Sequence, residues 1–206
     1  MEKKILVGTN NKHKLEEIKH ILSAFPFEIV SLQDIHLSSD VEENGATYLE
    51  NAFIKAKHFS QASGLPCISD DTGLEIEILQ GKPGIHSARW AGVEGEGRYK
   101  ANNEKLLWEL RNIPLEQRKA CFRCTIAFVH GQDLVFHCEG ICHGRIAFEP
   151  RGKNGFGYDP FFQVDGYDKT FAELPDHVKN QISHRAIALQ EFQKRFSALS
   201  KSQFGV

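Results

Sequence analysis

What the chain lacks narrows the possibilities first. No apolar run in its 206 residues reaches the ~20 residues that a membrane-spanning helix needs. Met1-Glu2-Lys3-Lys4 leads straight into Ile5-Leu6-Val7 without the apolar core of a secretory signal. Cysteine is sparse and odd in number, five in all, which suits a reducing compartment and excludes a fully paired disulfide framework. Neither sign of charge dominates: 25 Lys and Arg against 27 Asp and Glu leave a formal net charge of −2. That balance excludes broad electrostatic attachment to nucleic acid or to an anionic membrane, so any phosphate site must be concentrated in a local pocket. The expectation is a cytoplasmic protein with neither nucleic acid nor membrane as a partner.

What is present suits one soluble domain over 1–206, since 41% hydrophobic and 25% charged residues allow a sizeable core, with two lobes around a cleft as a variant. The chain is organised around Ser69-Asp70-Asp71-Thr72-Gly73-Leu74. Leu65-Pro66-Cys67-Ile68 before it reads as a short buried strand, and Leu74-Glu75-Ile76-Glu77-Ile78-Leu79 after it alternates with the period of a half-exposed one. The two carboxylates are therefore expected at a strand end. Open α/β sheets bind ligands there, and hard oxygen donors there suit Mg²⁺, which takes one or two carboxylates together with substrate phosphates. Taken alone, the stretch favours the plainer reading, a solvated Asp-Asp-Thr-Gly turn.

The remaining segments add candidates in order. Lys4 to Gly8 is a first strand, and Thr9-Asn10-Asn11-Lys12-His13-Lys14 turns into a helix whose buried face carries Leu15, Ile18, Ile21, Leu22 and Phe25. Strand, polar turn and helix make an anion-binding geometry, to which Lys12 or Lys14 adds a full charge. The segment is not a Walker A loop. Glu42-Glu43 precede a helix over about 46–63 that Gly64 ends. The helix dipole alone favours acids there; one of them joining Asp70 or Asp71 on a metal is the functional alternative. Gly81 to Gly92 reads as a long glycine-rich loop, followed by a helix over about 99–112 and two strands, 119–129 and 134–148, joined as a hairpin. Cys121 and Cys124 form a C-x-x-C on the first of these strands, where residues three apart face opposite sides, which opposes shared zinc ligation.

Arg151-Gly152-Lys153-Asn154-Gly155-Phe156-Gly157-Tyr158-Asp159-Pro160 follows. Its glycines let backbone approach a ligand, an aromatic can stack on a planar base, and Asp159 can accept from base or ribose. Lys179 then precedes Ser183-His184-Arg185, the start of a last helix with Ala186, Leu189, Phe192, Phe196 and Leu199 on its buried stripe. Basic residues on a first helical turn oppose the dipole, so His184 and Arg185 point to an anion that offsets them.

Taken in order, Thr9-Asn10-Asn11-x-x-Lys14, Glu42-Glu43, Ser69 to Leu74, Pro83-Gly84-x-x-Ser87-Ala88-Arg89, Gly155 to Pro160 and Ser183-His184-Arg185 resemble the Ham1/inosine triphosphate pyrophosphatase family over nearly the whole chain. The resemblance implies an α/β fold of two lobes around a central mixed β-sheet with a deep cleft, of the Maf-type, anticodon-binding-like kind. It also implies a homodimer and Mg²⁺-dependent hydrolysis of ITP, dITP and XTP to the monophosphate and pyrophosphate. Carried over by position, Thr9, Asn10, Asn11, Lys12, His13 and Lys14 would bind the triphosphate. Asp71 would be proton acceptor and Mg²⁺ ligand, with Glu43 and then Glu42 as further ligands. Thr72, Phe156, Gly157, Tyr158, Asp159, Lys179, His184 and Arg185 would contact the purine nucleoside triphosphate. Thr72 stands where serine is common in the family, and the cysteines form no part of its pattern. Maf-type pyrophosphatases, the alternative enzyme class, lack the Ser-His-Arg. An RNA-binding module built on the Gly155 to Asp159 loop is opposed by the near-neutral charge and the clustered acids.

Overall fold

The computed structural model describes residues 4–204; Met1, Glu2 and Lys3, where the sequence shows no signal core, lie outside the described residues. The elements run β1 (Lys4–Val7), α1 (Lys12–Ile21), β2 (Glu28–Ser31), α2 (Tyr48–Ser63), β3 (Cys67–Ile76), α3 (Arg98–Leu110), β4 (Lys119–His130), β5 (Asp133–Ile146), β6 (Phe162–Val164), α4 (Asp176–Ile182) and α5 (His184–Phe204). The strands form one mixed sheet in the order β2-β1-β3-β4-β5-β6, parallel where β1 meets β2 and β3, antiparallel where β5 meets β6. This is the α/β class expected from the sequence. Among the described residues no helix is long and apolar enough to cross a membrane.

The chain divides into two compact units. Among the described residues the first comprises 4–71, Cys124–Gly140 and 185–204, and the second Thr72–Arg123 and Ile141–His184. Side-chain alternation along the strands builds the first unit. Ile5 and Val7 of β1 pack with Ile18 of α1, with Leu22 at its C-terminal cap, and with Leu189 and Phe192 of α5. Leu6, between them, packs with Ala52, Ala56 and Phe59 of α2. On β4, Ile126 and Phe128 join the first cluster, and Ala127 and Val129 the second. The sheet is thus covered by α1 and α5 on one face and by α2 on the other. This explains why Thr125 to Val129 reads as a continuous run instead of an alternation. Each large apolar side chain buried in this way contributes about 1.5–3 kcal/mol.

Local chemistry sets the helix limits. Asn11 caps α1, its side chain accepting from the backbone N–H groups of His13 and Lys14. Thr47 caps α2 by accepting from the Glu50 N–H, and Gly64 ends it in the left-handed region, φ 71°, where glycine carries no side-chain penalty.

The second unit has a single core, in which Leu74 and Ile76 of β3, Leu106 and Leu110 of α3, Phe122 of β4, and Phe162 and Phe171 take part. Two sequence readings change here. The strand expected over 74–79 ends at Ile76 and tightens into a 3₁₀ turn, Glu77–Leu79. The loop expected over 81–92 contains a 3₁₀ helix, Gly84–Arg89, with Ser87 buried. The physical reason is a hydrogen-bond hub. Ser87 Oγ donates to the Gly84 carbonyl (2.6 Å) and accepts from the Leu74 N–H (2.8 Å). The Ser87 carbonyl accepts from Asn102 Nδ2 (3.1 Å) and from the Tyr158 hydroxyl (2.9 Å).

Candidate active site

The Asp70-Asp71 pair does not lie at a strand end. β3 continues without a break from Cys67 to Ile76, and both carboxylates leave its middle, almost fully buried. The reason is packing: Ile68 and Leu74 on either side belong to cores, so the strand is anchored at both ends of the acidic stretch. Because successive side chains of a strand point to opposite faces, the two acids enter different surroundings. Asp70 follows Ile68 to the face covered by α1 and α5. Asp71 follows Cys67 and Ser69 to the face covered by α2.

Asp70 meets two cations. Its Oδ2 lies 2.9 Å from Lys14 Nζ on α1 and 3.1 Å from an Arg185 guanidinium nitrogen on α5. Arg185 also pairs with Glu17 of α1. Burial by itself would raise the Asp70 pKa, yet the Lys14 and Arg185 charges outweigh it and hold the carboxyl well below its ordinary value. The Arg185 pKa is raised: burial opposes its charge, but Glu17 and Asp70 more than offset that. Lys14 is raised likewise, Asp70 overcoming burial. The anion that the sequence required on the first turn of α5 is therefore supplied, for Arg185, by the protein's own carboxylates.

Asp71 meets a different set. Its Oδ2 accepts from Asn51 Nδ2 at 3.0 Å, and its Oδ1 lies 4.0 Å from Lys55 Nζ. Lys55 Nζ is at the same time 2.9 Å from Glu43 Oε2. Burial, reinforced by the like charge of Glu43, raises the Asp71 pKa in spite of Lys55 and Lys14. Two neighbouring carboxyls thus hold protons with opposite ease, Asp70 held in its ionised form and Asp71 given a raised proton affinity, a separation that marks acid–base sites. Among the described residues no group of three or more His, Cys, Asp or Glu comes together as a metal cage. The donors that converge are the Asp71 and Glu43 carboxylates, drawn toward one cationic nitrogen. Hard oxygens around a positive charge fit Mg²⁺, which needs only one or two carboxylates when phosphates complete its sphere. Glu42 is exposed.

The turn Thr9 to Lys14 lies in the same unit. The Thr9 hydroxyl accepts from the Asn11 N–H, Asn10 donates to the Ser39 carbonyl at 3.1 Å, and Lys12 and His13 are exposed. Gly8 just before it has no room for a side chain: a Cβ would sit 2.4 Å from Ser69 Oγ.

In the second unit the Gly155 to Asp159 loop is closed by Asp159. Its Oδ2 accepts from the Phe156 N–H (2.8 Å) and from Lys179 Nζ (2.7 Å). The loop folds this tightly only with glycine at 155, where φ is 72° and a Cβ would meet Asp159 Oδ2 at 2.1 Å. Phe156 is half-buried, with Lys179 Nζ 5.4 Å from its ring centroid and Tyr99 at 6.0 Å. Tyr158 is buried with its hydroxyl on Ser87, and Asn103 holds the Gly157 carbonyl at 3.0 Å. Thr72 is partly exposed on β3. His184 is buried, its ring stacked on Phe122 at 4.7 Å and 16°. The cysteines of the C-x-x-C part company: Cys121 Sγ faces Glu75 at 3.5 Å, whereas Cys124 Sγ faces Asp70 at 3.9 Å.

Three residues of this arrangement escaped the sequence reading: Glu17, Asn51 and Lys55. A signal for them exists. Asn51 and Lys55 extend the buried position of Phe59 back along α2 in steps of four, and Lys14 and Glu17 share a face of α1 with Ile18 and Ile21, so polar groups occupy inward-facing helical positions.

The model of the Ham1 family matches residues 5–195. The chain is 47% identical over 188 residues to the dITP/XTP pyrophosphatase of Thermoanaerobacter pseudethanolicus, 91% of this chain and 93% of that one. It is 46% identical over 186 residues to that of Geobacter sulfurreducens, 90% and 92% of the two chains. Among solved structures, a HAM1 protein from Coxiella burnetii superposes with a TM-score of 0.84 at 37% identity, covering 95% of this chain and 98% of that one. The Staphylococcus aureus Ham1 protein gives 0.82 at 38%, covering 95% and 99%. A family match over residues 5–195 makes the protein a member of the Ham1 family.

Proposed function

We propose that the chain, acting as one domain over 1–206, hydrolyses deaminated purine nucleoside triphosphates (ITP, dITP and XTP) to the monophosphate and pyrophosphate. Its Ham1 relatives carry the name dITP/XTP pyrophosphatase, and the opposed environments of Asp70 and Asp71 are the observation that carries the chemistry. Asp71, its pKa raised by burial, accepts the proton of the water that attacks the α-phosphorus. Asp71 and Glu43 would hold Mg²⁺, with Glu42 nearest in sequence as a further donor. When bound, Mg²⁺ supplies Lewis-acid neutralisation of phosphate charge.

Lys14, at the more exposed end of the charge network, offers its ammonium to the triphosphate beside Thr9, Asn10, Asn11, Lys12 and His13. Arg185 holds Asp70 ionised, so the field at Lys14 stays balanced before substrate arrives. Phe156 stacks on the base, and Thr72, Gly157, Tyr158, Asp159, Lys179 and His184 shape and orient the base and sugar contacts. Discrimination against adenine and guanine rests on this base-reading set, because the phosphates of all purine triphosphates are alike. On the family resemblance the active form is a homodimer in the cytoplasm.

The test is pyrophosphate release from ITP, dITP, XTP, ATP, GTP and dTTP, with and without Mg²⁺. The deaminated purines should exceed ATP and GTP by about 100-fold or more in kcat/KM, and Asp71→Asn should abolish turnover in a folded protein. Mg²⁺-dependent activity that survives Asp71→Asn refutes the assignment, as does a preference for dTTP.

A further inference from the structure

We infer that Asn51 is a positioning residue of the reaction: a buried two-ended clamp that holds the segment carrying Glu43 in register with Asp71. The side chain is fully buried on α2. Its amide NH₂ donates to Asp71 Oδ2 at 3.0 Å, and its carbonyl oxygen accepts from the Gly45 N–H at 2.8 Å. Gly45 lies two residues beyond Glu43. The stretch between β2 and α2 forms no regular structure over residues 38–45, so its backbone has no ladder of its own to fix where Glu43 stands. Asn51 provides that fix, and does so through the same group that orients Asp71.

An asparagine amide is the side chain this geometry requires. One end must donate to a carboxylate and the other accept from a backbone N–H, within the span of a single planar group. Aspartate would present an acceptor to an acceptor, and leucine of similar volume would do neither. Gly45 is matched to the clamp: a Cβ there would lie 2.8 Å from Asn51 Oδ1 and 2.7 Å from Glu50 Cβ. One turn further along α2, Lys55 reaches the other oxygen of Asp71 and the Glu43 carboxylate. Three of the four carboxylate oxygens, both of Asp71 and Oε2 of Glu43, are therefore approached from a single helix, Asn51 setting distance and Lys55 charge. The proposal rests on the pyrophosphatase reading, and on Asp71 and Glu43 acting together.

The experiment compares wild type, Asn51→Leu and Gly45→Ala. Folded fraction comes from circular dichroism and urea titration, and kcat and KM for dITP from pyrophosphate release. Metal affinity comes from the Mg²⁺ concentration that gives half of the rise in melting temperature without nucleotide. Loss of a group that orients metal-binding carboxylates typically costs about 10- to 100-fold. Asn51→Leu should therefore lower kcat by about that factor with KM for dITP held within about threefold, and raise the half-saturating Mg²⁺ concentration by about tenfold or more. Gly45→Ala removes no polar group yet displaces the clamp, so it should shift the same two quantities in the same direction. Variants whose kcat per folded molecule and Mg²⁺ midpoint stay within about twofold of wild type overturn the positioning role, as does a loss of kcat that follows the folded fraction alone. A wild-type enzyme without pyrophosphate release overturns the underlying function instead, a separate result.

Discussion

Replacing Asp70 and Asp71 one at a time by asparagine should move stability in opposite directions, although the two residues are adjacent and differ little in exposure. Asp70 Oδ2 stands 2.9 Å from Lys14 Nζ and 3.1 Å from Arg185. At those distances each attraction is of the order of 5 kcal/mol with an effective dielectric near 20, before desolvation is subtracted. Removing one partner of such a buried set leaves uncompensated charge and costs about 3–5 kcal/mol. For a chain of this length that lowers the melting temperature by about 6–20 °C. Asp71 presents the reverse case. Its pKa is raised by burial and by Glu43, so its charged form is disfavoured in the folded state relative to the unfolded one. A neutral asparagine should therefore raise the stability of the metal-free protein while removing activity.

The pH dependence follows from the two directions. The Asp70 pKa is lower folded than unfolded, so its stabilising contribution is complete above the ordinary carboxylate value of about 3.9 and is lost as pH falls through the folded value. The Asp71 pKa is higher folded than unfolded, so its contribution is complete below the ordinary value and is lost as pH rises through the folded one. The stability gap between wild type and Asp70→Asn should shrink on acidification, and the advantage of Asp71→Asn should vanish over the same descent. The assay is urea denaturation with a chelator present, repeated from neutral pH downward. If the two variants shift the midpoint the same way at neutral pH, the separation of the two carboxyls is refuted.

Two further predictions concern the second unit. Tyr158→Phe removes a buried hydroxyl bonded to the Ser87 carbonyl, which should cost about 0.5–1.5 kcal/mol of stability and, by loosening the loop that shapes the base contacts, act on dITP hydrolysis through KM with kcat held. A tenfold or larger fall in kcat, a size that marks a lost transition-state contact, would show that the hydroxyl acts on substrate. Phe156→Ala should raise KM for ITP by about 5- to 150-fold, the equivalent of about 1–3 kcal/mol of base stacking, with kcat little altered. An unchanged KM rules out the stacking role.

How much of this was legible in the sequence depends on the range of the interaction concerned. The helices over 48–63 and 98–110 and the strands flanking 131–132 show in local periodicity, because helix and strand faces repeat at fixed intervals. The terminating Gly64 is equally local. The course of β3 is not. Asp-Asp-Thr-Gly carries the composition of a turn, and only tertiary packing, with Ile68 and Leu74 anchored in cores, draws it straight. Ser87 was visible as a residue but not as a hub, since its partners Leu74, Asn102 and Tyr158 lie 13 to 71 positions away.

The extended course of β3 also accounts for the chemistry, and this is where local misreading and functional reading meet. In a turn, two adjacent carboxylates would share one solvated environment and titrate together near their ordinary values. In a strand they must face opposite ways, and a sheet covered on both faces gives each its own helix. α1 carries Lys14, and the start of α5 carries Arg185, so Asp70 becomes a fixed anion. α2 carries Asn51 and Lys55, so Asp71 is buried, oriented and left with a raised proton affinity. The motif was therefore found by its composition, while the division of labour within it follows from a two-residue period and the identity of the helix on either side. The polar residues on the inner faces of α1 and α2 are the part of that division the sequence already displayed, at helical spacing from buried residues, and they are where the Asn51 and Asp70 substitutions act.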